Sequence, residues 1–175
     1  MQVWLDDLLP FLGVLIGAAA GLFGSWLGLR WQGRAQWQRL LHEGASEFAA
    51  KLAGASTAVR HAISSFERLA DQEGTPSSED EEATKEAMKD AEWLVNEIPL
   101  SLSRLRLLFG EESRVYGEAK SAEQNLKLAV GELKDYRDKG RADQSLQDAD
   151  KLHSEAEVRE REFLSLANSE IRGAG

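Results

Sequence analysis

A chain of 175 residues with 42% hydrophobic residues, a formal net charge of −9 and no cysteine has room for one modest domain and one further segment. Without cysteine it forms neither disulfides nor thiolate metal sites, which fits a reducing compartment. The acidic balance argues against a nucleic-acid binder, because displacing counterions from phosphates needs a basic surface.

Residues 1–7 read as a short tail that ends in Asp6 and Asp7. The next 22 residues, 8–29, contain no charged side chain. As a helix at ~1.5 Å per residue the run is about 33 Å long, which matches a hydrocarbon core of ~30 Å. A transmembrane helix over 8–29 is therefore expected. A cleaved signal peptide fits less well, since no base precedes the run and the run is long for an h-region. Pro10 falls in the first turn, where a missing N–H costs little.

The flanks predict orientation. Arg30, Arg34 and Arg39 follow the run with no acid before Glu43, and the positive-inside rule places that side in the cytoplasm. Trp4 near one end, and Trp26 and Trp31 near the other, suit the headgroup layer. Trp4, Trp26, Arg30, Trp31 and Arg34 are thus expected as membrane-interface anchors, with membrane lipid as a partner. The expected location is the cell membrane, single-pass, with the N-terminus outside and residues after a basic juxtamembrane segment (30–40) cytoplasmic.

Within the span, Gly13, Gly17 and Gly21 are four apart, and Gly24 and Gly28 continue their face. Lipid offers no hydrophobic drive for helix association, so small residues that allow close backbone approach supply it. This glycine zipper predicts self-association and a homo-oligomer.

After Trp37 the pattern becomes heptad. Leu41, Ala45, Phe48, Leu52, Ala55, Val59, Ala62, Phe66 and Leu69 are spaced alternately by four and three, the mark of a coiled coil or bundle helix. The stretch "DQEGTPSSEDEE", residues 71–82, carries six acids and no base and reads as a solvated loop. Ser78 and Glu81 at its end predict a capping box. The alternate-acid spacing of a calcium loop is absent.

A second helix is expected from Ala87, Ala91, Leu94 and Ile98, kinked or restarted at Pro99 and stopped by Gly110. Leu100, Leu102, Leu105 and Leu107 alternate as a strand would, but Ile98, Leu102, Leu105 and Phe109 fit a helical seam, and no partner strand is visible. A third helix is expected to open with Glu111 and Glu112 and to bury Val115, Ala119, Ala122, Leu126, Ala129, Leu133 and Tyr136. Gly117 and Gly131 share one phase beside that seam, either for close helix approach or as surface glycines. Gly140 ends this helix. The fourth, about 142–171, places Leu146, Ala149, Leu152, Ala156, Phe163 and Ala167 roughly on one face, interrupted by the charged "EVREREF". The fold class is therefore all-α: an N-terminal transmembrane helix, then an antiparallel bundle of about four helices over residues 41–175.

No constellation carries chemistry. Asp150 and His153 have the i, i+3 spacing of a bundle metal site, but no second such pair accompanies them, and His42 and His61 stand apart. Arg60, His61, Ser64 and Ser65 read as a polar helix face. Phosphate loops, GxSxG elbows and HExxH motifs are absent. The expectation is no catalytic residue, no metal, no cofactor and no enzyme.

"GLRWQGRAQWQRLL", then "EFAAKLAGA", and later "RLRLLFGEESR" resemble segments of a loose group of small single-pass membrane proteins of high-GC Gram-positive bacteria. Those have a Gly/Ala-rich span, an Arg/Trp/Gln juxtamembrane stretch and a cytoplasmic helical part. The resemblance implies the topology and the all-helical fold, and no activity. These readings together predict a membrane-anchored scaffold that self-associates through its span and presents the bundle to a cytoplasmic protein partner. The alternative is a membrane-perturbing effector, holin-like or defence-type, that acts by oligomerising the span. An apolar span has no polar face to line a pore, which favours the scaffold.

Overall fold

The computed structural model describes the backbone of residues 3–71, 77–139 and 143–173, and the side chains of residues 32–71, 77–138 and 144–173. The chain is all-α, with four helices: α1 (Val3–Asp71), α2 (Ser78–Phe109), α3 (Arg114–Lys139) and α4 (Asp143–Gly173). No strand occurs among the described residues. Two compact units are distinguished, one containing Met1–Arg39 and the other Leu40–Gly173. In the first, the side chains of residues 1–31 lie outside the described residues. The expected span 8–29, Gly13, Gly17, Gly21, Gly24 and Gly28, and Trp4, Trp26, Arg30 and Trp31 all fall there. Arg34 is described and exposed. Among the described residues no helix is long and apolar enough to cross a membrane.

The second unit is an up-down-up-down bundle. Its direction is read from partners across each interface. Glu47 on α1 pairs with Arg104 on α2, and Glu92 on α2 with Lys134 on α3. Glu118 on α3 meets Arg159 on α4 at 3.1 Å, and Arg60 on α1 meets Asp150 on α4 at 3.4 Å. Glu47, near the start of the bundle part of α1, meets the end of α2, whereas Arg60, farther along α1, meets the start of α4, so neighbouring helices run antiparallel. Exposed ion pairs of this kind contribute about 0–1 kcal/mol each, so they mark the register more than they hold it.

Burial holds it. All nine seam positions of α1, from Leu41 to Leu69, are buried, and so are all seven of α3, from Val115 to Tyr136. On α2 the core takes Ala87, Met88, Ala91, Val95, Ile98, Leu102 and Leu105, with Leu94 partly buried. Two edge-to-face aromatic pairs fill the gaps between alanines: Phe48–Phe163 with ring centroids 5.0 Å apart, and Phe66–Tyr136 at 5.4 Å. At roughly 1.5–3 kcal/mol for each large apolar side chain buried, these seams dominate the stability of the unit.

Three boundaries differ from the sequence reading. The cap of α2 is Ser77, not Ser78. Ser77 is the last residue with extended backbone, and its Oγ accepts from the Asp80 N–H at 3.1 Å, so the capping pair is Ser77 with Asp80 rather than Ser78 with Glu81. Pro99 neither restarts nor ends the helix, because α2 runs through it. A proline inside a helix costs about 3 kcal/mol, but Ile98, Leu102 and Leu105 on its two sides are buried, and together their burial outweighs that cost. Finally, Glu111 and Glu112 form the turn and α3 begins at Arg114. Gly110, at φ 88°, makes the turn possible, and Ser113 Oγ caps α3 by accepting from the Tyr116 N–H at 3.1 Å.

The glycines sort by what a Cβ would meet. Nothing lies within 4 Å at Gly117 or Gly131, so both are surface glycines and neither admits a neighbouring helix. Gly44, buried on α1, is the close approach: a Cβ there would stand 2.3 Å from Leu108 Cδ1 on α2. Replacing Gly117 or Gly131 by alanine is expected to stabilise the chain by about 0.5–1 kcal/mol each through helix propensity. Gly44→Ala should gain less, because the Leu108 side chain must move. Urea denaturation of the three variants checks the order.

Candidate functional site

One side-chain cluster among the described residues of the bundle holds a nucleophile, a base and an acid in sequence. Ser56 on α1 faces His153 on α4, with Nε2 3.0 Å from Ser56 Oγ and 2.9 Å from the Ser56 carbonyl oxygen. On the far side of the ring, Nδ1 stands 3.9 Å from Glu157 Oε1. Arg60, one turn along α1, reaches both Asp150 and Glu157. The order Ser–His–Glu invites comparison with a hydrolytic triad.

The hydrogen bonds speak against that chemistry. A carbonyl oxygen only accepts, so Nε2 carries the proton and donates to Ser56 O. That tautomer cannot take the proton of Ser56 Oγ. Both residues are buried, His153 completely. The cluster is therefore a polar lock between α1 and α4. Asp150 does not join His153, as a metal pair would, but turns outward to Arg60. Among the described residues no group of three or more His, Asp or Glu side chains is placed to hold a metal ion. The second cluster considered from sequence is a helix face: Arg60 and His61 are exposed, and Ser65 Oγ donates to the His61 carbonyl at 2.9 Å.

Burial lowers the pKa of His153, and nearby Arg60 lowers it further, against the raising effect of the Ser56 carbonyl and of Glu157 and Asp150. The imidazole is thus held neutral. Nδ1 has no hydrogen-bond partner. Two turns on, Glu160 shows the mirror case: burial, then Glu157, raises its carboxyl pKa. Both residues sit on the α4 seam. Its spacing is Ala149, His153, Ala156, Glu160, Phe163, Ala167, alternating four and three. The seam looked poor in the sequence because two of its positions are ionisable and Leu152, beside it, drew the reading away. The missed signal was the unbroken spacing itself.

One cleft, lined by Phe66, Leu69, Met88 and Tyr136 together with Lys85 and Arg137, has a volume of about 200 Å³. That is below the ~300 Å³ at which small-molecule sites begin. The basic segment remains the other candidate surface. Arg34, Trp37 and Arg39 are exposed, Trp37 at 45%, so one large apolar ring stands in the same exposed segment as two cations.

No family model matches the chain, and neither does any curated protein or solved structure.

The polar lock makes stability depend on pH in a calculable direction. The folded pKa of His153 lies below its unfolded value of about 6.5. Between the two, the unfolded chain binds a proton that the folded chain does not, so stability rises with pH there and is lost as pH falls. In His153→Gln the amide still donates to Ser56 O but does not titrate. The loss of stability between pH 7.5 and 5.5 is expected to be smaller in His153→Gln than in the parent. Equal slopes in urea denaturation would exclude a neutral buried imidazole. For Glu160 the sign is reversed, because stability present at low pH is lost as pH rises through its raised folded pKa. Glu160→Gln is expected to be more stable than the parent at pH 7.5, with the difference shrinking toward pH 5.

Proposed function

We propose that the chain is a membrane-anchored, non-enzymatic helical scaffold. Residues 8–29 cross the cell membrane once, with residues 1–7 outside and the bundle in the cytoplasm. Copies meet through the face made by Gly13, Gly17, Gly21, Gly24 and Gly28. The bundle is offered to a cytoplasmic protein partner. One observation carries the reading: an uncharged run of 22 residues, acids before it and Arg30, Arg34 and Arg39 after it, in the same chain as a helical bundle.

Three further observations support it. The basic segment exposes Arg34, Trp37 and Arg39, a set suited to anionic headgroups. In the buried Ser56–His153 pair Nε2 donates to a carbonyl oxygen, an arrangement unsuited to nucleophilic catalysis. The resemblance of the juxtamembrane stretch to the Gram-positive single-pass proteins fits the same topology.

Topology is tested by a C-terminal reporter that works only outside the cytoplasm. It should be silent, and a strong signal would overturn the orientation. The glycine face is tested on a peptide of residues 1–40 in membranes. Gly17→Ile should weaken cross-linking severalfold, since separating tightly packed helices costs on the order of 1 kcal/mol. Leu15→Ile, on the opposite side, should not. Equal cross-linking by the two peptides would remove the face. Adding the full chain to dye-loaded vesicles should release no dye, whereas leakage that disappears with Gly17→Ile would favour a membrane-perturbing effector.

A further inference from the structure

The outward face of α2 carries a second apolar seam that the bundle does not use. Trp93, Leu100 and Leu107 are seven residues apart and 63%, 74% and 83% exposed. They lie two residues beyond Ala91, Ile98 and Leu105, which are buried, and two residues along a helix is a rotation of ~200°. The stripe therefore runs down the side opposite the core for about 21 Å, at ~1.5 Å per residue. Single exposed apolar residues are ordinary on a protein surface, but three large ones seven residues apart line up as one stripe, half of the apolar positions that a coiled-coil seam uses.

Charge on either side of the stripe says what covers it. One flank is the row Lys89, Asn96, Ser103 and Gly110. The other is Asp90, Glu97, Arg104 and Glu111. All eight are exposed. A two-fold axis parallel to the helices would lay the first row of one copy on the second row of the other at equal height. Lys89 then meets Asp90 of the second copy, Asn96 meets Glu97, and Ser103 meets Arg104, with no like charges opposed. An antiparallel pairing about Leu100 would lay each row on itself. It would join Glu97 to Arg104 but oppose Asp90 to Glu111, and it would set Trp93 against Leu107. Facing charges decide orientation in helix pairs of this kind.

We propose that α2 pairs in parallel and in register with α2 of a second copy, Trp93 on Trp93, Leu100 on Leu100 and Leu107 on Leu107. This contact lies in the bundle and is separate from the glycine face, so it extends the scaffold reading and does not rest on it. It gives the chain a second self-association surface.

The chain has no cysteine, so single cysteines report the contact directly. Trp93→Cys, Leu100→Cys and Leu107→Cys are made in the full chain and oxidised mildly, with Leu128→Cys as the control. Leu128 is an exposed position on α3 and that variant carries the same N-terminal segment. A disulfide forms only where the two Cα atoms approach within about 7 Å. All three stripe positions are expected to give covalent dimer, severalfold more than Leu128→Cys. Adding Leu100→Glu to the Leu107→Cys chain should reduce that dimer severalfold, with the helical circular dichroism unchanged. Dimer at Leu100→Cys alone would mean antiparallel pairing and would overturn the proposal. So would a yield no higher than that of Leu128→Cys, the result expected if a different protein covers the stripe or if nothing does.

Discussion

The bundle depends on how narrow its seams are. Along α1, α3 and α4 the inward positions mix alanine with larger side chains. Ala45, Ala55, Ala62, Ala119, Ala122, Ala129, Ala149, Ala156 and Ala167 are all buried. Alanine brings helix axes together, and the larger neighbours must then fit between them. Phe48 against Phe163 and Phe66 against Tyr136 do so at separate points along α1. Gly44 takes the same logic to its limit by leaving room for Leu108 alone. Because each helix spends only one stripe on the core, most of its circumference is left for other uses.

Close packing also explains why α4 tolerates two ionisable seam residues. A histidine at a seam position between close helices has no water, so it must find a protein partner. The Ser56 carbonyl, reached at 2.9 Å, supplies one. Burial then pushes His153 and Glu160 in opposite pKa directions toward the same outcome, an uncharged group. Such a lock contributes less than a leucine in the same place would, because a neutral hydrogen bond is worth about 0.5–1.5 kcal/mol net. What it adds is direction: the Nε2–H points one way, to the Ser56 carbonyl oxygen, and that sets the height of α4 against α1.

The proposed function places its contacts on surfaces. Among the described residues, the charged and aromatic segment near residue 37 and the outward stripe of α2 are the exposed faces it uses. In the interior, His153 Nε2 donates to the Ser56 carbonyl, and no three carboxylate or imidazole groups among the described residues are placed to share a metal ion. A scaffold is the reading that uses these faces.

Much of the fold was legible in the chain. The alternating four and three spacing assigned the buried side of α1 and α3 residue by residue, because helical periodicity is a local property and a residue's own neighbours in sequence set which way it points. Helix ends were less legible. Ser77 and Ser78 both precede acids at capping distance, and only the point where the backbone becomes extended chooses between them. Pro99 read as a break because its local cost is visible in sequence, whereas the compensating burial of Ile98, Leu102 and Leu105 requires the rest of the bundle. His153 read as a weak metal ligand, and its real partner is 97 residues away. Gly44 gave no signal, since its reason is Leu108 on another helix. The outward stripe of α2 passed for an ambiguous apolar run until the other face of the helix was occupied. Sequence alone determined which residues of α1 and α3 face inward, because a helix repeats its own geometry. Tertiary structure decided what each face meets, because the residue opposite is set by how four separate helices align in space.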